Sequence, residues 1–251
     1  GDEFWVHTDG PDGALHDYRV AYTFGITPLQ QYLLELPGGR LQALSIAWDS
    51  RPPDQGGRRW FHLYPDEEIP AGDLLHWTGP YQNWNFMCAE CHSTNLRKGY
   101  HAAGDRYETS WSDLSVGCEA CHGPGSEHVA WAKREPDRAR GLSEGTMGLA
   151  LRLKDTDGGS FLMERKTGIA KRSPARTSHV EVETCARCHA RRGALTDDYI
   201  PGRPILDTHR VALLEAELYY PDGQIQGEVY EYGSFLQSKM YAGGVACHDC
   251  H

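Results

Sequence analysis

Cysteine is absent from this 251-residue chain except in four short clusters, and methionine occurs only four times. No apolar run approaches the length of a membrane span. Positive charge is also scarce, with 25 Lys and Arg against 35 Asp and Glu, a net charge of −10. Such a surface makes nucleic acid and anionic membranes poor partners. Apolar residues make up only 39%, thin material for a core. At this length the chain is one large domain or two small ones. No secretory leader is visible at its start, so a mature chain is expected to have lost one.

The eight cysteines form four copies of Cys-X-X-Cys-His: Cys88, Cys91 and His92; Cys118, Cys121 and His122; Cys185, Cys188 and His189; Cys247, Cys250 and His251. The pattern is the attachment signature of c-type haem. Two thiols add across the porphyrin vinyl groups, and the adjoining histidine is placed under the iron as proximal ligand. Paired CXXC motifs could instead make two four-thiolate zinc sites, but that leaves the four following histidines unexplained. A disulfide framework explains even parity but not a spacing repeated four times. A thioredoxin-like redox pair usually occurs once. Four covalent haems are therefore expected, and their apolar faces would supplement the thin core. The motifs begin 30, 67 and 62 residues apart, and the short first interval predicts a close pair of haems. Covalent haem attachment occurs outside the bacterial cytoplasm, so the expected location is periplasmic or extracellular.

Of 13 histidines, nine lie outside the proximal positions, enough for bis-His ligation at every iron. A distal ligand should sit among apolar residues that line a haem. His62 lies between Phe61 and Leu63, His76 between Leu75 and Trp77, His128 before Val129, and His209 near Val211 and Leu213. These four are the expected distal ligands, with His179 in reserve and Met240 a weaker candidate. His7, His16 and His101 read as solvated, and His248 as an exposed spacer within the last motif. No residue is assigned a catalytic role. A basic cluster including Arg165, Lys166, Lys171, Arg172, Arg176 and Arg187 is either a solvated face or a set of partners for haem propionates, since Arg forks suit carboxylates.

Residues 1–80 carry no cysteine and read as a β-rich segment covering haem edges. Residues 81–251 form the tetrahaem segment, and the two are expected to make one integrated domain. Tyr18 to Phe24 alternates, and Gln31 to Leu36 and Leu41 to Trp48 flank Pro37-Gly38-Gly39, a hairpin signal. A short helix is predicted over 81–92, leading into the first motif, and another over 127–135 with Ser126 as N-cap and Pro136 as stop. Hairpins are predicted around Asp157-Gly158-Gly159 within 149–163 and around Asp222-Gly223, and a helix over 207–217. The fold class is that of a multihaem cytochrome c: little regular structure, short α-helices around the motifs, several β-hairpins, and an α+β chain with a cofactor-packed core.

Several stretches resemble one family of multihaem cytochromes. They include Thr23-Phe24-Gly25, Pro28 to Leu33, Pro37 to Leu44, Ala47 to Pro52 and Trp60 to Pro65. Leu75-His76-Trp77-Thr78-Gly79, Gln82 to Cys88 and Gly233 to Tyr241 continue the pattern. Together they resemble the cytochrome c554-like group, also described as tetratricopeptide-repeat-associated cytochromes, over nearly the whole chain. The resemblance implies an exported electron-transfer protein. It also implies a longer pattern, with a further haem motif upstream and more after the fourth, often followed by helical repeats. Against it, a chain running from Gly1 to His251 reads as a processed form, a fragment or a short relative, one of whose distal ligands could come from missing segments or a neighbouring subunit. His62, His76, His128 and His209 fall where the family carries histidine, and His179 does not.

The leading expectation is an electron carrier that serves redox partner proteins. One alternative is a subunit of a haem-stacked extracellular filament, self-assembled through its chain end. The other is a redox enzyme acting on a small nitrogen compound, which needs an iron with an open distal face.

Overall fold

The computed structural model describes residues 3–134, 145–155 and 157–250. Internal packing divides the chain into residues 1–112 and 113–251, so the segment carrying the first motif packs with the amino-terminal strands.

The first unit is built on an antiparallel sheet of six strands: β1 (Trp5–Asp9), β2 (Leu15–Phe24), β3 (Leu29–Leu36), β4 (Arg40–Ala43), β5 (Ile46–Asp49) and β6 (Arg59–His62). Its order is β1-β2-β3-β5-β6, with β4 also on β3. The start of β3 pairs with β5, Leu29 opposite Asp49, and its end with β4, Leu36 opposite Arg40. The expected hairpin therefore forms around Pro37-Gly38-Gly39. Gly38 and Gly39 take φ values of 77° and 70°, in the left-handed region that disfavours other residues. A Cβ on Gly39 would lie 2.3 Å from the Tyr107 carbonyl oxygen.

Adjacent leucines on β3 point to opposite faces, and both are buried. Leu33 packs with Leu41, Ala43, Trp84 and Ala89; Leu34 packs with Leu44 and Trp77. Burying each is worth roughly 1.5–3 kcal/mol. The Leu33 face receives two short helices, α1 (Trp84–Met87) and α2 (Ala89–His92), within the stretch predicted helical. A minimal hairpin follows, β7 (Tyr100–His101) with β8 (Arg106–Tyr107).

The second unit contains α3 (Glu119–His122), α4 (Ser126–Arg134), β9 (Ser160–Met163), β10 (Ala170–Ser173), α5 (Val180–His189), β11 (Arg192–Ala194), β12 (His209–Val211), α6 (Tyr232–Leu236) and α7 (Lys239–Ala242). Val182, Ala186 and Ala190 recur every four residues along α5 and just beyond it. They pack with Ile205, Tyr232 and Ala246, the stripe expected of an amphipathic helix.

Four local expectations change. The predicted hairpin in 149–163 lies further on: β9 pairs with β10, and the turn closes through Gly168 N–H to Glu164 O at 2.9 Å. Asp157 is instead engaged by Arg172. Residues 209–211 form β12 against β11 rather than a helix. Leu213 and Leu214, within the stretch predicted helical, remain exposed, so the tertiary pairing of 209–211 outweighs the local preference. Ser126 lies inside α4, and Gly125 supplies the carbonyl that receives the Val129 N–H. Around Asp222-Gly223 there is a single bridge, Tyr219 to Ile225, instead of two strands. The predicted stop at Pro136 lies outside the described residues. No helix among the described residues is long and apolar enough to cross a membrane.

Candidate functional site

The first motif is held by amide side chains. Asn83 caps α1, its side-chain oxygen accepting from Phe86 N–H at 3.0 Å, and its NH2 donates to Gln42 Oε1 at 2.8 Å. Gln42 in turn donates to the carbonyls of Trp77 and Gly79. Asn85 accepts from Leu41 N–H at 2.7 Å and donates to Gly39 O and Thr109 Oγ1. All three amides are buried, so each satisfies backbone groups that would otherwise be orphaned. They fasten α1 to β4 and set Cys88 against the Leu33 cluster. Burial, aided by neighbouring Cys91, pushes the Cys88 thiol up to about 11. His92 is exposed.

The second motif sits on α3, with Cys118 exposed at its head and Cys121 half-buried within it. His122 donates from Nδ1 to Leu151 O at 2.9 Å, and Leu151 N–H returns to His122 O at 3.1 Å. Four residues earlier, Met147 O accepts from His128 Nδ1 at 2.8 Å. His128 also stacks on Trp131, with ring centroids 5.8 Å apart and planes 16° apart. A carbonyl only accepts, so both imidazoles carry their proton on Nδ1 and keep a lone pair on Nε2. This is the tautomer that metal-bound histidines adopt when a carbonyl orients them from behind.

The other expected distal histidines differ. His62 is half-buried, its Nδ1 lying 3.1 and 3.0 Å from the amide and carbonyl of Tyr64. His76 is buried, donating from Nε2 to Asp9 Oδ2 at 2.9 Å while its Nδ1 meets Thr78 Oγ1 at 2.7 Å. Binding iron through Nε2 would require Asp9 to give way. Burial would raise the Asp9 carboxyl, but hydrogen bonds from His76 and Thr8 hold it below its ordinary value. His62 and His76 line one small cavity of about 120 Å³. His209 is fully buried beside Thr208 Oγ1, 2.8 Å from its Nδ1. His179 is exposed and meets Tyr241 Oη at 3.0 Å. Met240 is exposed.

The third and fourth motifs meet in one place. Cys185 and His189 of the third motif and Cys247 and Cys250 of the fourth line a cavity of about 560 Å³ whose walls include Val182 and Phe235. That volume falls within the range of cofactor pockets. A hydrogen bond between the Cys185 and Cys247 sulfurs shifts the two thiols apart, raising Cys185 and lowering Cys247. His251 lies outside the described residues. Paired thiols facing an apolar cavity, with histidines held by Nδ1 elsewhere in the unit, are a donor set suited to covalent haem.

Cys188 is half-buried on α5, as Cys121 is on α3. Cys121 and Cys188 lie near Tyr199, whose hydroxyl is raised chiefly by burial and further by the negative charge that either thiol can carry. Cys121 is also close enough to Cys185 to help raise that thiol. The second motif therefore approaches the third through Cys121.

His248 departs from the expectation of an exposed spacer. Its backbone N–H donates to Glu181 Oε1 at 2.6 Å, and its Nδ1 bonds to Oε2 of the same carboxylate. Glu181, buried on α5, draws it inward. The propionate reading of the basic cluster also narrows. Arg172 is bound to Asp157, and Arg176 to Asp155 and, at 2.9 Å, to Asp249. Both guanidiniums are thus committed to protein carboxylates, and Asp157 is held at about 2 by Arg172. Sequence reasoning passed over Gln42, Asn85, Asp9 and Glu181. Of these, only Glu181 carried a local sign, an acidic residue one turn before a motif on its own helix.

Residues 78–123 match the family described as cytochrome c554 and c-prime, a stretch containing the first two motifs. No curated protein and no solved structure matches the chain. The family match supports a c-type cytochrome, and such a family implies covalently bound haem c.

Proposed function

We propose that this chain is a tetrahaem c-type cytochrome that carries electrons between redox partner proteins outside the cytoplasm. The observation that carries the reading is the set of four Cys-X-X-Cys-His motifs that uses every cysteine. The Nδ1 bonds of His122 and His128 to backbone carbonyls support it. The cysteine pairs would hold haem through thioether bonds, and haem supplies one-electron chemistry at iron.

The chain's own contribution is orientation and exclusion of water. His92, His122, His189 and His251 would serve as proximal ligands. His62, His128 and His209 would serve as distal ligands, and His76 would join them only on exchanging Asp9 for iron at its Nε2. Met147 and Leu151 carbonyls fix two imidazole planes, and buried amides hold the first motif on the sheet. Pyridine haemochrome assay with intact mass tests the reading: four haems per chain are expected, with low-spin resonance spectra. A count below four would overturn the stoichiometry. A dominant high-spin signal would favour a catalytic iron over a carrier.

A further inference from the structure

Hairpin β9–β10 turns an apolar and basic surface outward. Phe161, Leu162 and Met163 are 39%, 59% and 65% exposed. Neighbouring side chains on a strand point to opposite faces, so both faces of the hairpin offer apolar surface. The turn adds Arg165 and Lys166, both exposed. Lys171 lies 3.4 Å from Glu164, with both side chains solvated. Three cations against one carboxylate stand out on a chain of net charge −10.

The hairpin is anchored beside the fourth motif. Arg172 N–H donates to Gly243 O at 2.8 Å. Just past β10, Arg176 donates to Gly244 O at 3.0 Å and bonds to Asp249. The stretch it grips, 243–249, leads into Cys247 and Cys250. A molecule resting on the hairpin would therefore lie next to that attachment site.

We propose that the outer surface of β9–β10 is the docking site for a redox protein whose contact patch is apolar with an acidic rim, and that it serves the fourth motif. This rests on the electron-carrier reading above. The patch is small, which suits the transient contacts of electron-transfer partners rather than a permanent assembly. A second copy meeting this face about a two-fold axis would set the same three cations against each other, so a redox protein of different kind with an acidic rim fits better than a second copy.

The probe is reduced plant-type [2Fe–2S] ferredoxin, an acidic one-electron donor of low potential. One electron leaves its cluster and reduces one ferric haem to ferrous. Stopped-flow reduction of the haem-loaded chain is expected to slow about tenfold as ionic strength rises from about 0.01 to about 0.3 M. The triple variant R165E/K166E/K171E should slow it at least fivefold and L162S/M163S about threefold, with matching loss of amide shift changes on labelled ferredoxin. Reduction by dithionite should be unchanged in both variants, as should circular dichroism. Parental rates and shifts in both variants would overturn the proposal. So would sedimentation showing that the parent self-associates through this face while the variants stay monomeric. A chain that binds ferredoxin at the hairpin but takes no electrons even from dithionite would instead overturn the electron-carrier reading.

Discussion

Glu181 holds His248 with both carboxylate oxygens, Oε1 on the backbone N–H at 2.6 Å and Oε2 on the ring. The pair spans 67 residues and fastens the fourth motif to α5, the helix that ends in the third. One buried side chain therefore sets two Cys-X-X-Cys-His motifs relative to each other. Glu181→Gln keeps the shape but weakens both bonds, and Glu181→Ala leaves the His248 amide unpaired. The alanine variant should lose roughly 1–3 kcal/mol in denaturant unfolding, with the glutamine variant intermediate.

Asn85 satisfies Leu41 N–H, Gly39 O and Thr109 from a buried position. Asn85→Leu fills similar space but orphans the Leu41 amide. A loss of about 1–3 kcal/mol is expected in urea unfolding, with looser packing of Trp84 visible in fluorescence. An unchanged midpoint would mean that water replaces the amide.

Gly39 sits at φ 70° against the Tyr107 carbonyl. Gly39→Ala introduces both left-handed strain and a clash with backbone, so a cost above about 1 kcal/mol is expected. Gly56 also has a positive φ but nothing within 4 Å, so Gly56→Ala should cost less. Equal costs would show that strain alone, and not the close approach, governs this turn.

Asp9 is held below its ordinary value of 3.8 while bonded to His76 and Thr8. A carboxyl lowered on folding binds protons more weakly when folded than unfolded. Its stabilisation is present above that ordinary value and is lost as pH falls through the lowered one. Denaturant midpoints between about pH 5 and about pH 2.5 should therefore decline less steeply in Asp9→Asn than in the parent. Parallel curves would remove Asp9 from the acid response.

His128→Ala tests the distal assignment directly. One low-spin haem should become high-spin while the haem count stays unchanged, and imidazole should restore the low-spin signal. Trp131→Leu, which removes only the stacking partner, should leave the spin state intact. A spectrum unaltered in His128→Ala would place the sixth ligand elsewhere.

The sequence by itself determined the features that depend on short spacing. Two thiols and a histidine within five residues specify their chemistry without reference to the rest of the chain. Pro37-Gly38-Gly39 likewise turns β3 into β4 because the dihedral angles required are local. The tertiary structure alone decided which charges are used up and which motifs are neighbours. Arg176 finds Asp155 and Asp249 across 21 and 73 residues, and His76 finds Asp9 across 67. Cys121 comes near Cys185 across 64 residues. Such pairings depend on which backbone segments are brought together, and no local pattern encodes that. The same reason turned 209–211 into a strand, because hydrogen bonds to 192–194 outweighed the weak helical preference of an isolated segment.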